Sequence, residues 1–268
     1  MERAETYTHG HAESVLRSHR WRTVENSAAY LRPHLVAGVS VLDVGCGPGT
    51  ITIDIARHVG PGRVQGVDAS AEVIAAAQAT ATDDAVSNVA FATGDVYALD
   101  LPDDAVDVVH AHQVLQHVAD PVAALREMRR VCRPEGVVAA RDAVYRAMSW
   151  YPLSEGLDRW LEVYCLVAEA NGGEPDAGSR LRSWAIEAGC SEVTASASAW
   201  CYASPDERAW WGGLWADRIA GTALGARAVD LGIASPQELP ELADAWHAWA
   251  EADDAWFAVL HGEILATP

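Results

Sequence analysis

Lysine is absent from this chain: all 19 basic residues are arginine, set against 38 acidic ones. That absence excludes Schiff-base chemistry and any lysine general base. The formal net charge of −19 argues against nucleic acid or an anionic membrane surface as a partner. No apolar run reaches the ~20 residues that a membrane-spanning helix needs. Met1 to His19 is polar, without the apolar stretch of a secretory signal, so the expected location is the cytoplasm. The five cysteines, Cys46, Cys132, Cys165, Cys190 and Cys201, are odd in number and form no C-x-x-C pair. They are expected to be reduced, with no metal site. No internal repeat or low-complexity linker divides the 268 residues, a length for one large α/β domain or a domain with a sizeable cap.

The most informative segment runs from Val41 to Thr50. A short apolar strand, Val41-Leu42-Asp43-Val44, leads straight into Gly45-Cys46-Gly47-Pro48-Gly49. Glycines at alternate positions allow backbone conformations closed to other residues and let the chain approach a ligand with no side chain between. The pattern D-x-G-x-G-x-G differs from the G-x-G-x-x-G of dinucleotide-binding enzymes and points away from hydride transfer.

The rest of the first half alternates between two periodicities. Segments 51–59 and 71–82 and a segment from Asp120-Pro121 to about Arg133 read as helices. Segments 64–68, 89–92, 106–111 and 137–140 read as short β-branched strands. Ser14 to His34 reads as a helix closed by Pro33. Later, 176–189 is expected to be a helix, 192–199 a strand, and Ser204-Pro205-Asp206 the start of another helix. The last stretch, 256–266, fits a strand or a helix. Alternating strands and helices predict a Rossmann-like, mostly parallel seven-stranded sheet flanked by helices.

Tryptophan is unevenly placed: of the eleven, only Trp21 precedes residue 150. Leu239, Leu242, Trp246 and Trp249 have helical spacing. This fits a helical subdomain with a tryptophan-rich core, and also an aromatic wall for a substrate; candidates for the wall are Trp150, Tyr151, Trp160, Trp211 and Trp215. The expected division is a 1–36 helical lid, a 37–149 ligand-binding core, a 150–175 cap segment, a 176–203 core continuation, a 204–254 helical cap over the strand carboxyl ends, and a 255–268 core strand. Tyr7, His9, His11, His19 and Arg22 are candidates for the lid.

Asp43, Asp68 and Asp95 lie in or just after three successive strands. In an open α/β sheet these ends face the ligand crevice. A carboxylate closing the second strand can accept hydrogen bonds from two ribose hydroxyls.

Asp43 to Gly49, Val67-Asp68, Gly94-Asp95-Val96 and the segment His112 to Val118 resemble the class I S-adenosylmethionine-dependent methyltransferases. The stretch 107–118, then Asp120-Pro121, Leu125-Arg126-Glu127 and Arg133-Pro134-Glu135-Gly136, is most similar to the ubiquinone/menaquinone-biosynthesis C-methyltransferases, although glycine more often stands where Glu135 is. The resemblance implies that Gly45, Cys46, Gly47 and Gly49 lie along the methionine part of S-adenosylmethionine. It implies that Asp68, with Ala69, holds the ribose, Asp95 and Val96 the adenine, and that His112 and Gln113 border the sulfonium. Asp43 would act from behind the turn.

Methyl transfer is an in-line displacement in which positioning does much of the work, and a base is needed only where the nucleophile carries a proton. Candidates at or just past strand ends are His112, His117, Asp142 and Tyr145. The resulting expectation is methyl transfer to a small-molecule acceptor of secondary metabolism by a monomer or homodimer. Two other readings stand beside it: a methyltransferase-like regulatory protein that binds the cofactor without catalysis, and an NAD-dependent oxidoreductase.

Overall fold

The computed structural model describes residues 21–268. The described chain divides into two compact units. One, the sheet unit, comprises residues 21–142, Ala177–Ser198 and His261–Pro268. The other, the aromatic unit, comprises Ala143–Asp176 and Ala199–Leu260.

The sheet unit opens with α1 (Val24–Ser27), capped by Thr23 and Asn26, and a 3-10 helix, Ala29–His34. The expected single helix over 14–34 is thus broken where it can be seen, at Ala28; residues 14–20 of that expectation lie outside the described residues, as do Tyr7, His9, His11 and His19. The elements that follow are β1 (Val41–Val44), α2 (Thr50–Val59), β2 (Val64–Asp68), α3 (Ala71–Asp83), β3 (Val89–Thr93), β4 (Val106–His112), α4 (Pro121–Val131) and β5 (Cys132–Ala143). Ser70 caps α3 by accepting from Val73 N–H. Asp120 caps α4, with Pro121 in the first turn where its missing N–H is harmless. After β5 the chain enters the aromatic unit. It returns as α6 (Ala177–Glu187) and β7 (Ser191–Tyr202), and again in the second half of β8 (Trp256–Thr267).

Strand order is β3–β2–β1–β4–β5–β8, with β7 paired to β8. The β1, β2, β3, β4 and β5 ladders are parallel. Every residue of β1 is buried, as expected for a central strand covered on both faces. The order reverses beside β1, whose neighbours are β2 and β4, and this is where such a sheet opens a crevice at its carboxyl ends.

The last strand, β8, lies where the sequence places a C-terminal core strand. Two strand assignments differ from the sequence pattern. β5 begins at Cys132, directly after α4, and absorbs Arg133–Gly136 through a register shift between Val106 and Val108; a bulge lets one strand carry extra residues. A short β6 (Ser149–Tyr151) brings the number of strands among the described residues to eight rather than seven.

The aromatic unit contains β6, paired antiparallel to the start of β8 (Trp150↔Phe257), and four helices: α5 (Glu155–Ala170), α7 (Pro205–Gly221), α8 (Ala223–Asp230) and α9 (Glu238–Glu251). Its core holds Trp160, Trp215 and Trp246, each at most 1% exposed. The rings meet edge to face: Trp160 with Trp215 at 4.5 Å and with Trp246 at 4.7 Å between centroids. Edge-on contacts match the positive ring edge to the negative face. The indole N–H groups of Trp160, Trp211 and Trp246 have no hydrogen-bond acceptor among the described residues, so aromatic packing organises this interior.

Candidate active site

The glycine turn joins β1 to α2 at the carboxyl end of the sheet unit. Gly45, Gly47 and Gly49 have φ of +65°, +55° and +80°, the left-handed region that glycine enters without steric penalty. A Cβ on Gly45 would lie 2.4 Å from Val114 Cγ2, and one on Gly49 2.8 Å from the Phe91 ring. Both conformation and space therefore require glycine. The Cys46 N–H donates to Val67 O at 3.0 Å and pins the turn to β2. Burial pushes the Cys46 thiol far above its ordinary range, which keeps it protonated and unreactive.

Asp43 and His110 are partners in the β1–β4 register. His110 Nδ1 lies 2.7 Å from Asp43 Oδ1, and Thr52 Oγ1 donates to Asp43 Oδ2 at 2.5 Å. Both carboxylate oxygens are thus engaged by the protein, and the residue ties β1, β4 and α2 together behind the turn. Asp68 closes β2. Its Oδ2 accepts from Gly47 N–H and its Oδ1 from Ser70 N–H, each at 3.0 Å, so it joins the turn to the start of α3. Ala69 is exposed beside it. Asp95, just after β3, is exposed and accepts from Tyr97 N–H at 2.9 Å; Val96 is half-buried.

The ends of β4 and β5 carry the remaining candidates. His112 is 5% exposed; burial holds its pKa well below the ordinary value, with Arg22 and Arg141 adding to the effect. His117 is held at about 3, by burial first and then Arg22. Gln116 Nε2 sits 3.0 Å from His117 Nε2. Both histidines are neutral at physiological pH. Gln113 adopts φ +54°. Asp142 is fully buried, and burial raises its pKa to about 8 against the opposing pull of the Gln116 and Leu115 N–H groups, Arg141 and Arg22. Its Oδ1 accepts from Gln116 N–H at 3.1 Å, while Oδ2 has no partner among the described residues.

Tyr145 lies in the aromatic unit, its ring stacked on Tyr164 at 4.0 Å. Trp160, Trp211 and Trp215 are in the core of that unit, Trp150 is half-buried and stacked on Phe257, and Tyr151 is 54% exposed.

Sequence reasoning missed the polar residues of β8 and their partners. Glu263 accepts from Ser196 Oγ at 2.8 Å and pairs with the buried Arg141 at 3.2 Å. Gln113 Nε2 lies 3.0 Å from His261 Nε2, and Arg22 donates to Gln113 Oε1 at 2.5 Å. A signal existed: Phe257, Val259, His261 and Glu263 alternate along β8, so the last two occupy inward positions set by the first two.

A family model described as a methyltransferase domain matches residues 35–192. An uncharacterized methyltransferase of Schizosaccharomyces pombe is 34% identical over 97% of this chain and 95% of its own length. A ubiquinone/menaquinone biosynthesis C-methyltransferase of Bdellovibrio bacteriovorus is 38% identical, but over 38% of this chain and 43% of its own length. Among solved structures, the YcgJ protein of Bacillus subtilis shares the fold, with a TM-score of 0.57 at 19% identity, over 88% of this chain and 96% of that one. A turn that leaves no room for side chains thus lies beside a carboxylate at the end of β2. This chain belongs to the class I S-adenosylmethionine-dependent methyltransferases, with S-adenosylmethionine as its cofactor.

Proposed function

We propose that this enzyme methylates a small-molecule acceptor of secondary metabolism that sheds a proton during the reaction, with Asp142 as the base. The cofactor supplies an electrophilic methyl group on a sulfonium. Gly45, Cys46, Gly47 and Gly49 would hold its methionine part, Asp68 and Ala69 its ribose, Asp95 and Val96 its adenine, and His112 and Gln113 would border the sulfur. Asp43 acts from behind, by keeping the turn on α2 and β4.

The observation that carries the assignment of the base is the state of Asp142: buried, anchored through one oxygen to Gln116 N–H, and with the other oxygen unpartnered among the described residues. Burial disfavours its charged form, so the carboxylate takes up a proton readily near neutral pH. His117, held near 3, is a far weaker base, and His112 is displaced in the same direction. The chain's acidity and lack of lysine support a small molecule over nucleic acid. The Bdellovibrio bacteriovorus enzyme of ubiquinone/menaquinone biosynthesis matches 38% of this chain, so its acceptor does not transfer by itself.

The test is a methylation screen of phenols, amines and carbon acids, read by mass spectrometry together with S-adenosylhomocysteine release. With the acceptor found, kcat should rise through pH about 8 as Asp142 ionises. Asp142→Asn should lower kcat by about 10²–10⁴-fold and leave S-adenosylhomocysteine affinity unchanged. A variant that turns over like the native enzyme removes Asp142 from the mechanism.

A further inference from the structure

Gln113 is held from three sides. Its backbone N–H donates to Arg141 O at 2.7 Å, its Oε1 accepts from Arg22, and its Nε2 faces His261 Nε2. Donor and acceptor roles along this line follow from chemistry. A guanidinium only donates, so the oxygen of the amide must face Arg22. The NH₂ group must then face His261, whose Nε2 must present a lone pair. His261 is therefore neutral, with its proton on Nδ1. Protonation would set an Nε2–H against the amide NH₂. Turning the amide over would instead set NH₂ against Arg22. Either way, one donor–donor contact remains at a site where His261 is fully buried.

Gln113 is also mechanically close to the glycine turn. The next residue, Val114, is the one whose side chain would collide with a Cβ on Gly45. A shift of the 113–114 segment would therefore be felt directly by the cofactor cradle.

We infer that His261, 148 residues away in the sequence, is a positioning residue for the cofactor site, which it keeps in shape through Gln113 only while its imidazole is neutral. This rests on the reading of Gln113 as a cofactor-bordering residue. The His112 ring on β4 stacks on His261 at 6.3 Å, Arg22 reaches the same line through Gln113, and Glu263, two residues on along β8, pairs with Arg141 of β5 at 3.2 Å.

S-adenosylhomocysteine binding, measured by calorimetry from pH about 8 to about 5, spans the ordinary titration range of histidine, about 6.5. Native affinity should fall about tenfold or more toward the acid end, the effect of one buried donor left unpaired. His261→Gln, which offers a non-titrating oxygen to Gln113, should bind nearly as tightly as native at neutral pH and lose the acid-side fall. His261→Leu should bind more weakly at every pH. Gln113→Glu gives a carboxylate that accepts from both Arg22 and a protonated His261, so its affinity should not fall in acid. An affinity of the native protein independent of pH, a His261→Gln profile that keeps the native acid-side fall, or a Gln113→Glu profile that does so, overturns the inference; the last comparison holds even where His261→Leu fails to fold. No binding by the native protein at neutral pH is a different failure, that of the cofactor site itself, and removes both readings.

Discussion

The two units bury opposite kinds of matter. Inside the sheet unit lie Asp43, His110, His112, Gln116, Arg141, Asp142, His261 and Glu263, all at most 5% exposed. Inside the aromatic unit the buried charged side chains are Arg208 and Arg218. Arg208 donates to the carbonyls of Ala203, Ala250 and Asp253, and Arg218 lies over the Trp215 ring at 5.0 Å. A buried polar group costs free energy unless it is bonded, so the sheet unit carries an interior that is expensive to hold and chemically responsive. The aromatic unit gains dispersion and hydrophobic energy from rings that do not titrate. The difference teaches that sensitivity to pH and to point charge should be concentrated in one unit, and sensitivity to lost volume in the other.

The largest expected break in this contrast is at Asp142. An unfolded aspartate ionises near 3.9, whereas the folded one does so at about 8. Between these values the folded state holds a proton that the unfolded state has released. Stability linked to this group is therefore fully present below pH about 4 and is lost progressively as pH rises to about 8. The loss is on the order of 5 kcal/mol. Urea denaturation at several pH values should show this decline in the native protein and a flatter profile in Asp142→Asn. Parallel profiles for the two proteins would assign the decline to other groups.

Next in size is the aromatic unit's response to lost volume. Trp160 is fully buried and touches Trp215, Trp246 and Tyr164. Trp160→Ala should cost about 3–5 kcal/mol, with a change in the near-ultraviolet circular dichroism of the coupled rings. The cost should be the same at pH about 5 and about 8, because the side chains that touch Trp160 are aromatic rings rather than carboxylates or imidazoles. A strongly pH-dependent penalty would show that the aromatic interior is not isolated from ionisation.

Much of the sheet unit was legible because its residues obey local rules. β1 is an unbroken apolar run, Ser70 and Asp120 mark helix starts, and the three glycines of the turn all take the positive φ that the pattern demands. The same locality explains the misses. The bulge at Arg133–Gly136 depends on what β4 offers as a partner, which no helix-end signal contains. β6 has only three residues and exists because the start of β8 pairs with it. His261 and Arg22 meet at Gln113 from positions far apart in the chain, so spacing carried no trace of their contact. The tryptophans were visible as a cluster in the sequence, but burial, which separates the core ring Trp160 from the exposed Tyr151, is a property of packing.

The finest comparison uses one substitution in both units. At Gly45 the backbone has φ +65° and the missing Cβ would meet Val114 at 2.4 Å. Gly45→Ala should therefore lose about 2 kcal/mol through strain and overpacking and weaken S-adenosylhomocysteine binding with it. Gly213 lies inside α7 of the aromatic unit, and a Cβ there would meet nothing within 4 Å. Here alanine restricts the unfolded chain without strain in the folded one, so Gly213→Ala should stabilise by about 0.5–1 kcal/mol. Thermal denaturation of the two variants should then move the midpoint in opposite directions, because one glycine is required by the site's geometry and the other merely leaves a helix floppier than its packing needs. A Gly213→Ala midpoint below the native one would mean that α7 is packed more tightly at this point than the free space around Gly213 indicates.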